Sequence, residues 1–232
     1  MLSLKRELEA KGIKVIHIKT DSIKIQSPSE ETKNFIYEYG EKFGYTFEVE
    51  HIFRKFCLVN NAVYIAQYDK PEIADDGHEI WWDATGKEFQ RPYVYKTLFS
   101  KEPLTFWDFC ETRKVDKGNI YLDFNEYDET VHILKSGKEK VVRELQEDPA
   151  KRVFVGRIGS FIPVIKGGGL LKAVRETSIA DVNDTKGYRW LESEDIPQDS
   201  YQDILDRSYF DNLVLKAKAH IEEFGSFDEF IA

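Results

Sequence analysis

The chain has 232 residues, 41% of them hydrophobic and 14% aromatic, which is enough apolar material for one large buried core or two smaller ones. No window approaches the roughly 18 consecutive apolar residues of a membrane span. The opening Met1-Leu2-Ser3-Leu4-Lys5-Arg6-Glu7 also lacks the apolar stretch of a signal peptide, so a cytoplasmic protein with no membrane partner is expected. The formal net charge of −9 argues by itself against nucleic-acid binding, but the charge is uneven: Lys151 to Trp190 holds eight Lys or Arg against three Asp or Glu, and Leu191 to Ala232 holds three against eleven.

Leu2, Leu4 and Leu8 recur among charges at helical spacing, and Gly12 is a natural stop, so Leu2 to Ala10 is expected to be a helix. Two β-branched runs, Ile13 to Ile18 and Ser22 to Ile25, flank Lys19-Thr20-Asp21 as a tight hairpin with Asp21 at its tip. Ser27-Pro28-Ser29-Glu30 reads as a helix start capped by Ser27, with the helix running to about Phe43 and Phe35, Ile36, Tyr39 and Phe43 on one face. Three strands are expected next, Tyr45 to Glu50, Ile52 to Val59 and Ala62 to Tyr68, the last two joined at Asn60-Asn61.

Asp69 to Lys87 reads as loop, and Phe89 to Phe99 as an extended aromatic and β-branched segment around Pro92. Helical spacing is expected over Pro103 to Lys114 and over Lys138 to Gln146. Short strands broken by glycine and proline are expected from Val153 to Val174, with Gly167-Gly168-Gly169 as a turn, and an acidic helical tail from Tyr201 to Phe230.

Several chemistries lack their residues. Cys57 and Cys110 stand outside any Cys-x-x-Cys pair and are expected as buried thiols rather than disulfide or zinc ligands. The five histidines show no zinc spacing, and neither a phosphate-binding Gly-x-x-x-x-Gly-Lys-Ser/Thr loop nor a Gly-x-Ser-x-Gly nucleophile elbow occurs.

The stretch His17-Ile18-Lys19-Thr20-Asp21-Ser22 resembles the Tyr-Gly-Asp-Thr-Asp-Ser hairpin of family B DNA polymerases. Asp21 matches the second Asp, which in that family ligates both catalytic metals, and Thr20 and Ser22 match their positions. Lys19 stands where the family has its first Asp, so one carboxylate is lost; Lys19 is either a phosphate contact or a solvated side chain. A second run, Phe47 to Phe56 followed by Asn61 to Ala66, is similar to the palm strands that end in the family's Lys-Lys-Arg-Tyr signature, with Tyr64 retained and Glu50 as a residue supporting the site. A third, Ala84 to Phe99, resembles phage-type members and offers Lys87, Arg91 and Lys96 as backbone contacts set out by alternation along an extended segment.

The resemblance implies an α+β fold: residues 1–102 as the C-terminal part of a polymerase palm, an antiparallel sheet with helices on one face, and residues 103–232 as a mixed, mainly helical thumb. In the thumb, Arg152, Arg157, Lys186 and Arg189, interleaved with aromatics, would track phosphates without reading bases. The implied activity is primer extension by two-metal nucleotidyl transfer, with primer-template DNA and a deoxynucleoside triphosphate as substrates, Asp21 as the catalytic carboxylate and two Mg2+ ions. The family's upstream Asp-x-x-Ser-Leu-Tyr-Pro-Ser strand and its Lys-bearing fingers helix are absent, so an N-terminal polymerase polypeptide carrying them, and sharing the metals, is the implied partner. The alternative is a non-catalytic duplex-DNA-binding module derived from a polymerase.

Overall fold

The computed structural model describes residues 1–133, 139–145 and 148–232, with backbone alone over 127–133 and 139–145. The chain forms two compact units, Met1–Glu102 together with Val214–Ala232, and Pro103–Leu213. The fold class is α+β, every described strand pairing is antiparallel, and among the described residues no helix is long and apolar enough to cross a membrane.

The first unit opens with α1 (Leu2–Ala10), then the hairpin β1 (Val15–Ile18) and β2 (Ile23–Ile25), then α2 (Glu30–Lys42). Leu4 and Leu8 of α1 meet Ile36 of α2, with Val15, Ile23 and Ile25 of the hairpin packed against them. Two helices and a hairpin thus share one small core, and each fully buried Leu contributes about 2 kcal/mol of transfer free energy. The α2 cap is Ser29, not Ser27. Ser29 is extended and its Oγ accepts from the Thr32 N–H at 3.1 Å, whereas Ser27 has φ 44 and lies in the preceding turn.

The strand expected over Tyr45 to Glu50 does not form. After the α2 C-cap, Phe43, the chain turns back tightly enough that a Cβ at Gly40 would meet Phe47 Cδ2 at 2.5 Å and Tyr45 O at 2.8 Å, so glycine is required there. A three-stranded sheet follows in the order β3-β4-β5, from Phe53–Asn60, Val63–Ile73 and Glu79–Thr85. The loop expected over Asp69 to Lys87 is therefore mostly strand, turning at Asp75-Asp76-Gly77. The segment Phe89 to Phe99 is helical rather than extended: α3 (Lys87–Gln90), α4 (Pro92–Tyr95) and a π turn over Lys96–Ser100. Pro92 occupies the first turn of α4, where its missing N–H costs nothing. Phe99 packs on Trp82 and Phe89, and Phe227 of the C-terminal segment closes this aromatic cluster.

The second unit is built mainly of strands, not helices. Where a helix was expected over Pro103 to Lys114, a capping box between Thr105 and Asp108 holds one 3-10 turn, Phe106–Phe109, and the chain then extends as β6 (Glu111–Lys114). Next come β7 (Asn119–Asp123), β8 (Tyr127–Ile133) and β9 (Glu139–Leu145). The helix expected over Lys138 to Gln146 is thus replaced by a strand, Lys138 and Gln146 lying outside the described residues. Then follow β10 (Arg152–Gly156), β11 (Ile158–Val164), β12 (Leu170–Val174), β13 (Ile179–Asp181) and β14 (Arg189–Glu192).

These strands form sheets in the orders β10-β7-β12-β13 and β14-β11-β6, with β8 and β9 as a separate hairpin. Trp190, Phe161, Ile162, Ile120 and Leu171 are fully buried in this unit. Gly167, with φ +73, turns the chain so that Gly169 exchanges backbone hydrogen bonds with Trp190 at 2.8 and 2.9 Å. The C-terminal segment forms α5 (Arg207–Glu222) and α6 (Phe227–Ile231).

Candidate functional site

The β1–β2 hairpin places its polar residues by register. Ile18 pairs with Ile23 and His17 with Lys24, and the Lys19 N–H donates to Ser22 O at 2.9 Å, closing a turn that leaves Lys19, Thr20 and Asp21 exposed and Ser22 half-buried. Asp21 therefore stands at the tip of a short hairpin whose strands are tied into a core. A carboxylate mounted this way is held by the backbone on both sides of it.

His17 and Lys24 face the β3-β4-β5 sheet of the same unit. The buried His17 ring donates through Nε2 to Asn61 O at 3.0 Å and lies 6.1 Å from the Tyr64 ring. Tyr64 is the centre of the cluster. It is only 4% exposed, it stacks on Phe56 at 4.9 Å, and its hydroxyl donates to Asp83 Oδ2 at 2.6 Å. The ammonium groups of Lys24 and Lys19 lie 5.1 and 5.4 Å from the Tyr64 ring centroid, within cation–π range, and Lys24 is also 5.9 Å from Phe53.

The electrostatics follow from this packing. Burial, and then the neighbouring Lys19 charge, holds the Lys24 ammonium below its ordinary pKa, against the opposing pull of Asp83 and Glu50. Burial likewise drives the Tyr64 hydroxyl well above its usual value, reinforced by its bond to Asp83 and by the charges of Asp83 and Glu50. Tyr64 is thus a protonated donor at any physiological pH. It holds Asp83 in place behind the two lysines.

Of the sequence-derived candidates, the hairpin brings together Asp21, Thr20, Ser22 and Lys19, the sheet brings Tyr64, and the segment before β3 brings the charge of Glu50 to the same cluster. Lys24 and Asp83 were not singled out by the sequence. A signal for Lys24 existed: it stands between Ile23 and Ile25, which pack in the core, so the strand period of two turns it to the other face, where it pairs with His17. Nothing local pointed to Asp83, which reaches Tyr64 from β5.

The other candidates are dispersed. Lys87 opens α3, Arg91 caps α4, and Lys96 Nζ lies 3.9 Å from Glu102 Oε2, so helical turns replace the alternation expected of an extended segment. In the second unit, Arg152 Nε donates to Asp123 Oδ2 at 3.2 Å, with the two side chains 13% and 1% exposed, which ties that guanidinium into the core. Arg157 is exposed, with Nη2 donating to Asp116 O at 2.9 Å, and Arg189 Nη1 donates to Gly168 O at 3.1 Å. Lys186 is exposed beside Gly187, whose φ of +92 turns the loop. Cys57 is a buried and Cys110 a half-buried free thiol, and burial pushes both thiols up, away from reactivity.

The donor set bears on the expected Mg2+ pair. Magnesium takes oxygen ligands in octahedral geometry, and among the described residues no group of three or more His, Cys, Asp or Glu converges. The hairpin offers the single Asp21 carboxylate, with two ammonium groups facing Tyr64 nearby. By itself this set does not hold two divalent ions. Comparison of the chain with family models, with curated proteins and with solved structures finds no match.

Proposed function

We propose that this chain is the C-terminal portion of a DNA-directed DNA polymerase of the family B type, completed by a polypeptide that carries the upstream palm strand and the fingers helix. The observation that carries this reading is the Thr20-Asp21-Ser22 turn. Its carboxylate projects from a core-anchored antiparallel hairpin packed beside a second antiparallel sheet, and that sheet presents Tyr64, the other retained signature residue, to the same cluster.

In this reading Asp21 is this chain's contribution to the metal-binding carboxylates, and the remaining ligands for two Mg2+ ions come from the completing polypeptide. Tyr64 keeps the sheet side of the cluster rigid, because its hydroxyl is anchored and its ring is stacked. Primer-template DNA and a deoxynucleoside triphosphate are the substrates. Exposed Lys87, Lys186 and Arg157 are proposed to meet the phosphate backbone, each worth about one unit of salt-dependence slope.

A second reading has its own observation in favour. Lys19 stands where the motif has a carboxylate and Lys24 joins it near the Tyr64 ring, a pairing that suits a polymerase-derived module gripping duplex DNA without catalysis.

Salt-dependent DNA binding fits both readings, so the deciding experiment is isolation of the chain in its native assembly. Native mass spectrometry and primer extension on the same sample are expected to show a second polypeptide bearing the missing motifs and incorporation of nucleotides. A chain recovered alone, binding duplex but never extending a primer, decides for the module.

A further inference from the structure

The β10-β7-β12-β13 sheet of the second unit has an inner and an outer face, and the outer one carries aromatic rings. Along β7, Ile120 and Leu122 are buried, and along β12 so are Leu171 and Ala173, so the residues between them face away from the core. Register then lines up one row across the strands: Phe154 pairs with Tyr121, and Tyr121 pairs with Lys172. Phe154 is 58% exposed, and its ring sits 5.4 Å from that of Tyr121 at 78°. Lys172 in turn is fixed to Asp181 on β13 at 2.6 Å.

An exposed phenylalanine held in one orientation by a perpendicular neighbour offers a flat apolar surface to a planar partner. The surroundings select among planar partners. Exposed Lys151 and Arg157 bracket β10 at its two ends, inside the segment that carries five surplus positive charges in a chain of net charge −9. A ring open to solvent on a strand with a cation at each end fits a nucleobase joined to flanking phosphates, because stacking tolerates any base while cations track the backbone. Duplex DNA hides its base faces, so the ring suits an unpaired strand.

We propose that this outer face binds single-stranded nucleic acid, with a base stacked on Phe154, Tyr121 bracing the ring, and Lys151 and Arg157 on adjoining phosphates. The site lies outside the hairpin of the other unit and shares only Arg157 with the duplex contacts proposed above.

The test is fluorescence anisotropy of the full chain with a labelled oligothymidylate of about 12 nucleotides, an abasic strand of the same length, and a blunt duplex. Phe154→Ala is expected to weaken oligothymidylate binding about tenfold while leaving the abasic strand unchanged, and Phe154→Trp to restore it. Lys151→Gln with Arg157→Gln is expected to weaken both strands and to lower the salt slope by about two. Circular dichroism confirms that each variant is folded.

Equal losses for the thymidylate and abasic strands on Phe154→Ala, or unchanged binding by that variant, overturn the proposal. So does a duplex affinity that Phe154→Ala lowers as far as it lowers the single-strand affinity. Failure of any strand to bind, together with self-association that Phe154→Ala abolishes, overturns it in favour of a protein contact.

Discussion

The Tyr64 hydroxyl and the Asp83 carboxylate are joined by a 2.6 Å hydrogen bond running diagonally from β4 to β5, since Tyr64 pairs with Thr85 while Asp83 pairs with Ala66. This bond fixes the floor beneath Lys19 and Lys24. Tyr64→Phe removes the donor and leaves a half-buried carboxylate short of a partner, for an expected loss of about 1–2 kcal/mol in urea denaturation. Tyr64→Leu also removes the stacked, cation-facing ring and is expected to cost more. Equal stability of the Phe variant and wild type would show that Asp83 finds water instead.

Lys24 gives a pH signature of definite sign. Its folded-state pKa lies below the ordinary lysine value because of burial first and Lys19 second. Between the folded and the unfolded pKa the unfolded chain binds more protons, so this group makes stability rise with pH across that alkaline window. Below it, the penalty of the buried charge is fully present. Lys24→Met is therefore expected to raise the melting temperature at neutral pH and to lose that advantage above about pH 10.5. A destabilised Met variant would mean that the attraction of Asp83 and Glu50 outweighs burial.

Asp123 behaves in the opposite sense. Burial alone would raise its pKa, but the Asn125 backbone and side-chain N–H groups, and then Arg152, bring it below the usual carboxylate value. A depressed folded pKa contributes stability above the unfolded value, lost as pH falls through the folded one. Asp123→Asn is expected to cost about 2 kcal/mol at pH 7, discounted because Arg152 keeps some access to water, and to flatten the acid limb of the stability curve below about pH 4. An acid limb of unchanged steepness in the Asn variant would assign that limb to other carboxylates.

Lys19→Asp reverses the charge at the hairpin tip, giving two carboxylates beside one ammonium instead of one beside two. Calorimetric titration with Mn2+ is expected to show little binding to the wild-type chain and measurable binding to the variant. An unchanged titration would mean that the turn does not direct the two carboxylates to one ion.

Where the sequence succeeded and failed has physical causes. The first hairpin and its flanking helices were legible because Leu4, Leu8 and Ile36 keep helical spacing, while β-branched residues alternate around a polar turn. Pro103 to Lys114 misled because Leu104, Trp107, Phe109 and Cys110 keep helical spacing, yet Leu104 and Trp107 are exposed and only the 3-10 turn Phe106–Phe109 forms. Lys138 to Gln146 reads as a helix by spacing, yet its described part, Glu139–Leu145, pairs as a strand with Tyr127–Ile133. Ser27 looked like a cap by its distance from Glu30, but the backbone made Ser29 the cap.

The same division holds for the site. Asp21 and Tyr64 are singled out by short motifs and Glu50 by the run from Phe47 to Phe56, and the structure brings them near one another. Lys24 and Asp83 enter through register and sheet pairing, which bring together residues 59 positions apart that no local pattern links. The aromatic row on the second unit's sheet is hidden for the same reason, since Tyr121, Phe154 and Lys172 become neighbours only when three strands align.

The catalytic role proposed for Asp21 in a completed polymerase is open to single-turnover primer extension by the reconstituted assembly. Asp21→Ala is expected to cut nucleotide incorporation by more than about a hundredfold while primer-template affinity stays within about twofold of wild type. Incorporation by the Asp21→Ala assembly at the wild-type rate would rule out a catalytic role for this carboxylate.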